Sequence, residues 1–199
     1  MNRLHPAALA AIALASLASS ALRAEDAAVP RPAPLSTPAS SDFAISVMGG
    51  PLLPGSISIG DAEPDTNVGL IGRFAMDAMV APKLSVGAYA SFASTSFRGS
   101  DIGARSYGFG ATLKGHFALG PAQVRPGLAL AFQISDIDQS DSVNGLGAGA
   151  FLETAYPVVP RMNLVLHAGF LTQPTGGNSN VDVTWAPIFY FATGLEFSL

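Results

Sequence analysis

The sequence contains no cysteine. That excludes disulfide scaffolds, thiol nucleophiles, Cys-ligated zinc and acylation of a lipoprotein cysteine. Charge is also scarce: 12% of the 199 residues are Asp, Glu, Lys or Arg, about half the share of an ordinary soluble domain. The 10 basic residues are outnumbered by 14 acidic ones and form no cluster, so nucleic acid is not an expected partner. Beyond the N-terminus no run is long and apolar enough for a spanning helix. The uncharged stretch between Asp42 and Asp61 is broken by Pro51, Pro54 and several glycines. What is present is a chain with 49% hydrophobic residues and 21 glycines, whose mean hydropathy of +0.38 no helix explains.

The first residues, MNRLHPAALAAIALASLASSALRAED, place Arg3 before an Ala/Leu-rich stretch that ends in small residues. This predicts a secretory signal peptide over 1–24, with cleavage after Ala21 or Ala24, rather than a membrane anchor, for which the apolar stretch is short. A structured N-terminal helix is the alternative. Residues 25–41, EDAAVPRPAPLSTPASS, hold four prolines and no apolar period, which predicts a disordered or polyproline-like linker.

From Asp42 onward the pattern becomes alternation with period two, the strand signal. Eight apolar sets follow one another, and they begin Phe43-Ile45-Val47 and Val68-Leu70 through Val80. Next come Leu84-Val86 through Phe92, Tyr107-Phe109 through Leu119, and Val124-Pro126 through Ile134. The last three are Leu146-Ala148 through Tyr156, Leu164-Leu166-Ala168-Phe170, and Trp185-Pro187 through Leu199. Three connections are tight, around Pro82, Pro121 and Pro160. The others are longer and polar, at about 49–66, 95–105, 135–144 and 172–183. Short turns on one rim and long loops on the other describe an outer-membrane barrel. The fold class expected over 42–199 is therefore an all-β, eight-stranded antiparallel up-and-down transmembrane β-barrel. Pro126 and Pro187 interrupt this picture, since a closed barrel has no free edge to hide a missing N–H. Pro126 lies near a strand start, and Pro187 predicts a bulge or a strand that enters the sheet near Ile188.

None of the eight apolar sets contains a charged residue, whereas the opposite faces carry Arg73, Asp77, Lys114, His116, Arg125, Glu153, His167 and Glu196. A membrane barrel has this inverted arrangement; a soluble sandwich with wet polar faces is the competing reading. Eight strands leave an interior just wide enough for side chains to fill. Three cations and three carboxylates there predict an ion-pair network filling the lumen, because unpaired charge in a dry interior is prohibitive. A narrow polar conduit is the functional alternative. Catalysis would need a Ser beside a His, but Ala118 and Gly169 stand two positions after His116 and His167. No enzyme, cofactor or metal site is expected. The acidic loop DIDQSD lacks the glycine and later Glu of a calcium loop.

The final residues, FYFATGLEFSL, keep strict alternation to Leu199. With Gly194, Phe197 and Leu199 in the glycine and apolar places of the terminal assembly signal, the chain resembles the small Gram-negative outer-membrane β-barrel superfamily, the OmpA/OmpX-like eight-stranded barrels. Ala192 stands where that signal carries a polar residue, and Leu rather than Phe is terminal. The resemblance implies location in the bacterial outer membrane, insertion by the barrel assembly machinery, contact with outer-membrane lipid and lipopolysaccharide, and a monomer. It fixes no activity. Two functions are expected to compete: a non-enzymatic barrel displaying acidic surface loops for adhesion, envelope integrity or resistance to host factors, and a small transporter or channel.

Overall fold

The computed structural model describes residues 42–59, 61–138, 142–172, 176–178, 181–185 and 187–199. The signal peptide expected over 1–24 and the linker expected over 25–41 lie outside these, as do residues 139–141 of the DIDQSD loop. Among the described residues twelve strands follow in chain order: β1 Phe43–Leu52, β2 Ile57–Ile59, β3 Gly69–Ala81, β4 Leu84–Ser96, β5 Gly103–Gly115, β6 Phe117–Leu119, β7 Ala122–Ile137, β8 Val143–Val159, β9 Met162–Leu171, β10 Gly176–Asn178, β11 Val181–Trp185 and β12 Ile188–Ser198. Eight of them form one antiparallel ring in the order β5, β4, β3, β1, β12, β9, β8, β7, with β7 pairing back onto β5. The barrel is closed. β1 and β12, the first and last strands of the ring, pair from Ala44 with Ser198 to Gly49 with Thr193, and again at Leu52 with Tyr190.

Side-chain alternation decides which face looks in. On β3, Ile71, Arg73, Ala75 and Asp77 are buried while Leu70, Phe74 and Met76 are exposed. The same inversion holds around the ring. Leu128, Leu130, Leu146, Leu166, Phe191 and Phe197 point out, and Lys114, Arg125, Gln133, Glu153, His167 and Glu196 are buried inside. In water such an exterior would be a continuous exposed apolar surface of the kind soluble monomers avoid. Hydrocarbon would leave it at no cost, since lipid tails are as apolar as leucine.

Close approach between strands explains an interior glycine. A Cβ at Gly194 would lie 1.9 Å from the Val47 carbonyl oxygen and 2.6 Å from Met48 Cα. β12 and β1 can close the ring at that separation only where the side chain is a hydrogen.

Several strands are longer than the apolar pattern implies. β7 and β8 continue to Ile137 and begin at Val143, so the third connection shrinks from the expected 135–144 to 138–142. β1 runs on through Pro51 to Leu52. The last barrel strand begins at Ile188, after Pro187, and Trp185 belongs to β11.

Pro126 is accommodated by an interruption in its neighbour. β5 pairs with β7 as far as Lys114 with Gly127, and β6 resumes at Phe117 with Val124. Pro126 therefore faces the break at Gly115–His116, where no ladder bond asks for its missing N–H. The His116 amide turns instead to the Lys83 carbonyl at 2.9 Å.

Candidate functional site

The buried charged side chains point into the barrel, most of them in the half nearer the tight turns. There Lys114 from β5 donates to Asp77 of β3 at 2.9 Å and to both Glu153 oxygens of β8 at 3.1 and 3.3 Å. Arg125 from β7 donates to Glu153 at 3.1 Å and forks onto Glu196 of β12, with the Nη2–Oε1 contact at 3.0 Å. The result is an unbroken alternation of charge, Asp77–Lys114–Glu153–Arg125–Glu196, that crosses the lumen. Its ends are tied by neutral donors: Thr112 to Asp77 at 3.3 Å and Asn163 to Glu196 at 2.7 Å. Gln123 accepts from Arg125 Nε and Nη2 at 3.1 and 2.9 Å. Lys114 and Glu153 are each only 1% exposed. Charges so deeply buried persist because nearly every lone pair and N–H has a partner.

A second branch rises from Glu153. His167 Nδ1 lies 3.3 Å from Glu153 Oε2, and its Nε2 lies 3.0 Å from the Tyr190 hydroxyl. Arg73 donates to the same hydroxyl at 3.1 Å. Tyr190 thus accepts from Arg73 and gives its own proton to Nε2, which leaves Nδ1–H to donate to Glu153. The imidazole is stacked between Phe151, at a centroid distance of 4.7 Å, and Tyr190, at 5.4 Å.

Arg73 differs from the other two cations. It has no carboxylate partner among the described residues; its guanidinium sits 4.1 Å from the centre of the Tyr89 ring and 5.2 Å from that of Phe151. Two of its nitrogens, Nε and Nη2, are buried without a hydrogen-bond partner. The ring faces take over part of the role of a counter-charge.

His116 makes no direct contact with a carboxylate of the network and meets it through Gln123, which accepts from Arg125. The His116 Nε2 lies 2.8 Å from the Ser85 hydroxyl, brought across from β4. A Ser–His contact invites the question of hydrolysis. Ser85 is 1% exposed, so a substrate carbonyl has no approach to it, and the contact instead bridges the break between β5 and β6.

The other half of the interior is mixed: Gln133, Ser106 and Ser135 are buried there beside two apolar clusters. Leu52, Ile71, Ala93 and Tyr190 form one cluster, and Ile57, Phe97, Ala104, Ile137 and Val143 form another, with Ile102 and Ile188 packed against it. Ile57 is delivered by β2, a strand in the first long connection. β2 pairs with β11 through Ile57–Trp185, Ser58–Thr184 and Ile59–Val183, and β11 with β10. Two long connections are therefore joined as a small sheet, and Asn67 fastens the first of them to β4 through Ser96 at 3.0 Å. Inside, between the polar and apolar parts, lies a cavity of about 20 Å³ lined by Tyr190, Ser91, Ser106 and Gln133 among others, room for about one water.

Gly194, Phe197 and Leu199 all lie where β12 closes on β1: Gly194 opposite Met48, Phe197 opposite Ile45, and the Leu199 amide on the Phe43 carbonyl at 3.0 Å. Phe197 and Leu199 project outward. Alternation was enough to place Arg73, Asp77, Lys114, Arg125, Glu153, His167 and Glu196 inside. It carried no sign of Tyr190 as a junction, of Tyr89 and Phe151 as a bed for Arg73, of Ser85 as the partner of His116, or of Ile57 in the mouth.

No protein-family model and no curated protein sequence matches the chain. Solved structures do. Neisserial surface protein A superposes with a TM-score of 0.60 at 14% identity, covering 80% of this chain and 98% of its own. The outer membrane protein OprG of Pseudomonas aeruginosa gives 0.58 at 14%, covering 79% and 95%. The outer membrane protein AlkL, solved in lipid bilayers, gives 0.52 at 12%, covering 86% and 96%. At these identities the likeness is one of fold: this chain has the architecture of the small outer-membrane barrels.

Proposed function

We propose that this protein is a non-enzymatic barrel of the bacterial outer membrane that displays its long loops at the surface and conducts nothing through its lumen. One observation carries the reading: the barrel is inside out, with an apolar exterior and a buried network of ionic and hydrogen-bonded side chains that spans its interior. An apolar belt with every strand edge paired suits hydrocarbon, where unpaired backbone groups are not tolerated. The network leaves no wide polar passage, and the apolar clusters above it, around Leu52, Ile71 and Ile57, narrow the mouth.

The long-loop end carries Asp61, Glu63, Asp65, Asp101 and Asp138 on its surface, with Arg98 and Arg105 offsetting part of the charge through ion pairs to Asp65 at 3.5 Å and Asp138 at 4.0 Å. Adhesion, envelope integrity or resistance to host factors are roles suited to such a displayed face. Lipid and lipopolysaccharide surround the belt. The barrel assembly machinery reads the last strand through Gly194, Phe197 and Leu199, and the inserted protein is a monomer. The competing reading, a small transporter or channel, requires an open lumen.

Cell fractionation, gel mobility with and without heating, and planar-bilayer recording test the reading together. The expected result is an outer-membrane protein that needs detergent, runs faster unheated and gives no steady current. Solubility without detergent would overturn the membrane reading, and a stable open-channel current would overturn the filled lumen.

A further inference from the structure

The exterior of the barrel is not uniform. Across β8, β9, β12 and β1 the outward side chains form two neighbouring rows set by register. One row is Thr154, Leu166, Thr193 and Gly49; the next is Leu152, Ala168, Phe191 and Pro51. Small residues of one row stand beside bulky ones of the next: Thr154 beside Leu152, Thr193 beside Phe191 and Ala168 beside Leu166. The wall between Leu152, Leu166 and Phe191 is accordingly hollowed into a groove of about 380 Å³, a size within the range of about 300–1,000 Å³ typical of small-molecule sites. Gly50, His167 and Ala192 also line it. At that point the paired register of β1 with β12 lapses between Gly49 and Leu52, where Pro51 has no N–H to offer.

We infer that this groove is a binding site for one acyl chain of a surrounding lipid. The inference rests on the membrane reading, which makes hydrocarbon the medium outside the wall. A void there would forfeit dispersion contacts on one side, so something of methylene chemistry fills it. A second copy of the chain fits less well. Two barrels meeting about a two-fold axis present the same patch to each other, which sets groove on groove and leaves the hollow unfilled. An acyl chain is a single flexible file of methylenes that can follow the hollow between Leu166 and Phe191. In lipid the preference arises from packing, not from water exclusion. The site therefore distinguishes a seated chain from its neighbours by residence and contact.

The test is photolabelling in phosphatidylcholine vesicles that contain a phosphatidylcholine with a diazirine midway along one acyl chain, with labelled residues mapped by mass spectrometry. Label is expected to be enriched at Leu152, Ala168 and Phe191 over Phe92, Phe109 and Leu113 on the opposite wall, formed by β4 and β5. Gly49→Leu should abolish the enrichment and leave labelling of the opposite wall unchanged. The backbone there admits a side chain, because a Cβ at Gly49 meets only the Ile71 carbonyl oxygen, at an ordinary 3.5 Å, and the residue faces outward. Ala168→Leu, which fills the groove from its other side, provides the same reading should the first variant fail to fold. Equal labelling of both walls, persistence of the enrichment in a filled variant, or cross-links to a second copy through the groove would overturn the inference while the membrane reading stands. Absence of label from both walls would overturn the membrane reading itself.

Discussion

Glu153→Ala removes the group on which the lumen network converges. The carboxylate accepts from Lys114, Arg125 and His167, and it is sealed from solvent. Removing one partner of a buried ion pair costs about 3–5 kcal/mol, because a charge is left without compensation. Here two of the three orphaned donors keep a second acceptor: Lys114 retains Asp77 and Arg125 retains Glu196. The His167 Nδ1–H loses its acceptor, since Tyr190 lies on the other ring nitrogen. The cost should therefore lie near the lower end, about 3 kcal/mol, a large fraction of the 5–15 kcal/mol typical of a folded domain. Glu153→Gln keeps an acceptor and should cost less, about 1–3 kcal/mol. The assay is denaturant unfolding in lipid vesicles followed by the gel-mobility shift, with planar-bilayer recording on the same preparations. Conductance should stay near zero, since Arg125, Lys114 and Tyr190 still occupy the lumen. A loss of stability below about 1 kcal/mol, the scale of a solvent-exposed pair, would refute the reasoning: it would mean that water already reaches Glu153.

Three further outcomes follow from the same geometry. Arg125→Met should cost about 3–5 kcal/mol, since it strands two carboxylates, whereas Arg73→Met should cost only about 1–2 kcal/mol, the loss of ring contacts and one hydrogen bond; paired unfolding curves compare them, and equal costs would deny Arg73 its separate status. Gly194→Ala should leave most of the protein unable to reach the fast-migrating folded form, because its Cβ collides with the β1 backbone, while Gly72→Ala, whose Cβ meets nothing within 4 Å, should fold normally. Leu130→Arg, on the exposed outer face of β7, should cost about 2–4 kcal/mol in a bilayer, as a cation in the hydrocarbon does; no effect would place Leu130 outside the membrane.

The barrel was legible because its physics is local. A period of two sorts side chains to two faces, and the absence of charge from one face identifies the one that meets lipid. Strand ends were less legible for a physical reason. The apolar pattern marks the span facing hydrocarbon, but ladder hydrogen bonds do not depend on side-chain polarity, so β7 and β8 pair on through Gln123 at one end and Ser135 at the other. The partners inside the lumen could not be read at all, since they depend on register between strands far apart in sequence. Lys114 and Asp77 are 37 residues apart, and Arg125 and Glu196 are 71 apart. Nothing in the neighbourhood of His116 indicates that Ser85 will arrive across β4. The pairing of β2 with β11 joins two connections whose sequences show only short runs of β-branched residues among polar ones.

The lumen is filled by two materials, and their order along the axis bears on what the protein can do. A polar network alone could become a water-filled path if one side chain moved, as hydrogen-bonding groups accept water as a substitute partner. An apolar cluster alone would have no reason to exclude a hydrophobic solute. Placed in series, each blocks what the other would admit. Ions that could exchange with Lys114 or Glu196 meet Leu52, Ile71 and Ile57, where desolvation is uncompensated. Apolar solutes that could settle among Ile57, Phe97 and Ile137 then meet a buried ion-pair network that they cannot satisfy. The sheet formed by β2, β10 and β11 holds Ile57 in the mouth from two separate connections, so displacing it requires both to move. On the proposed reading of a closed lumen, the outer wall and the loops are the surfaces left with which to engage other molecules.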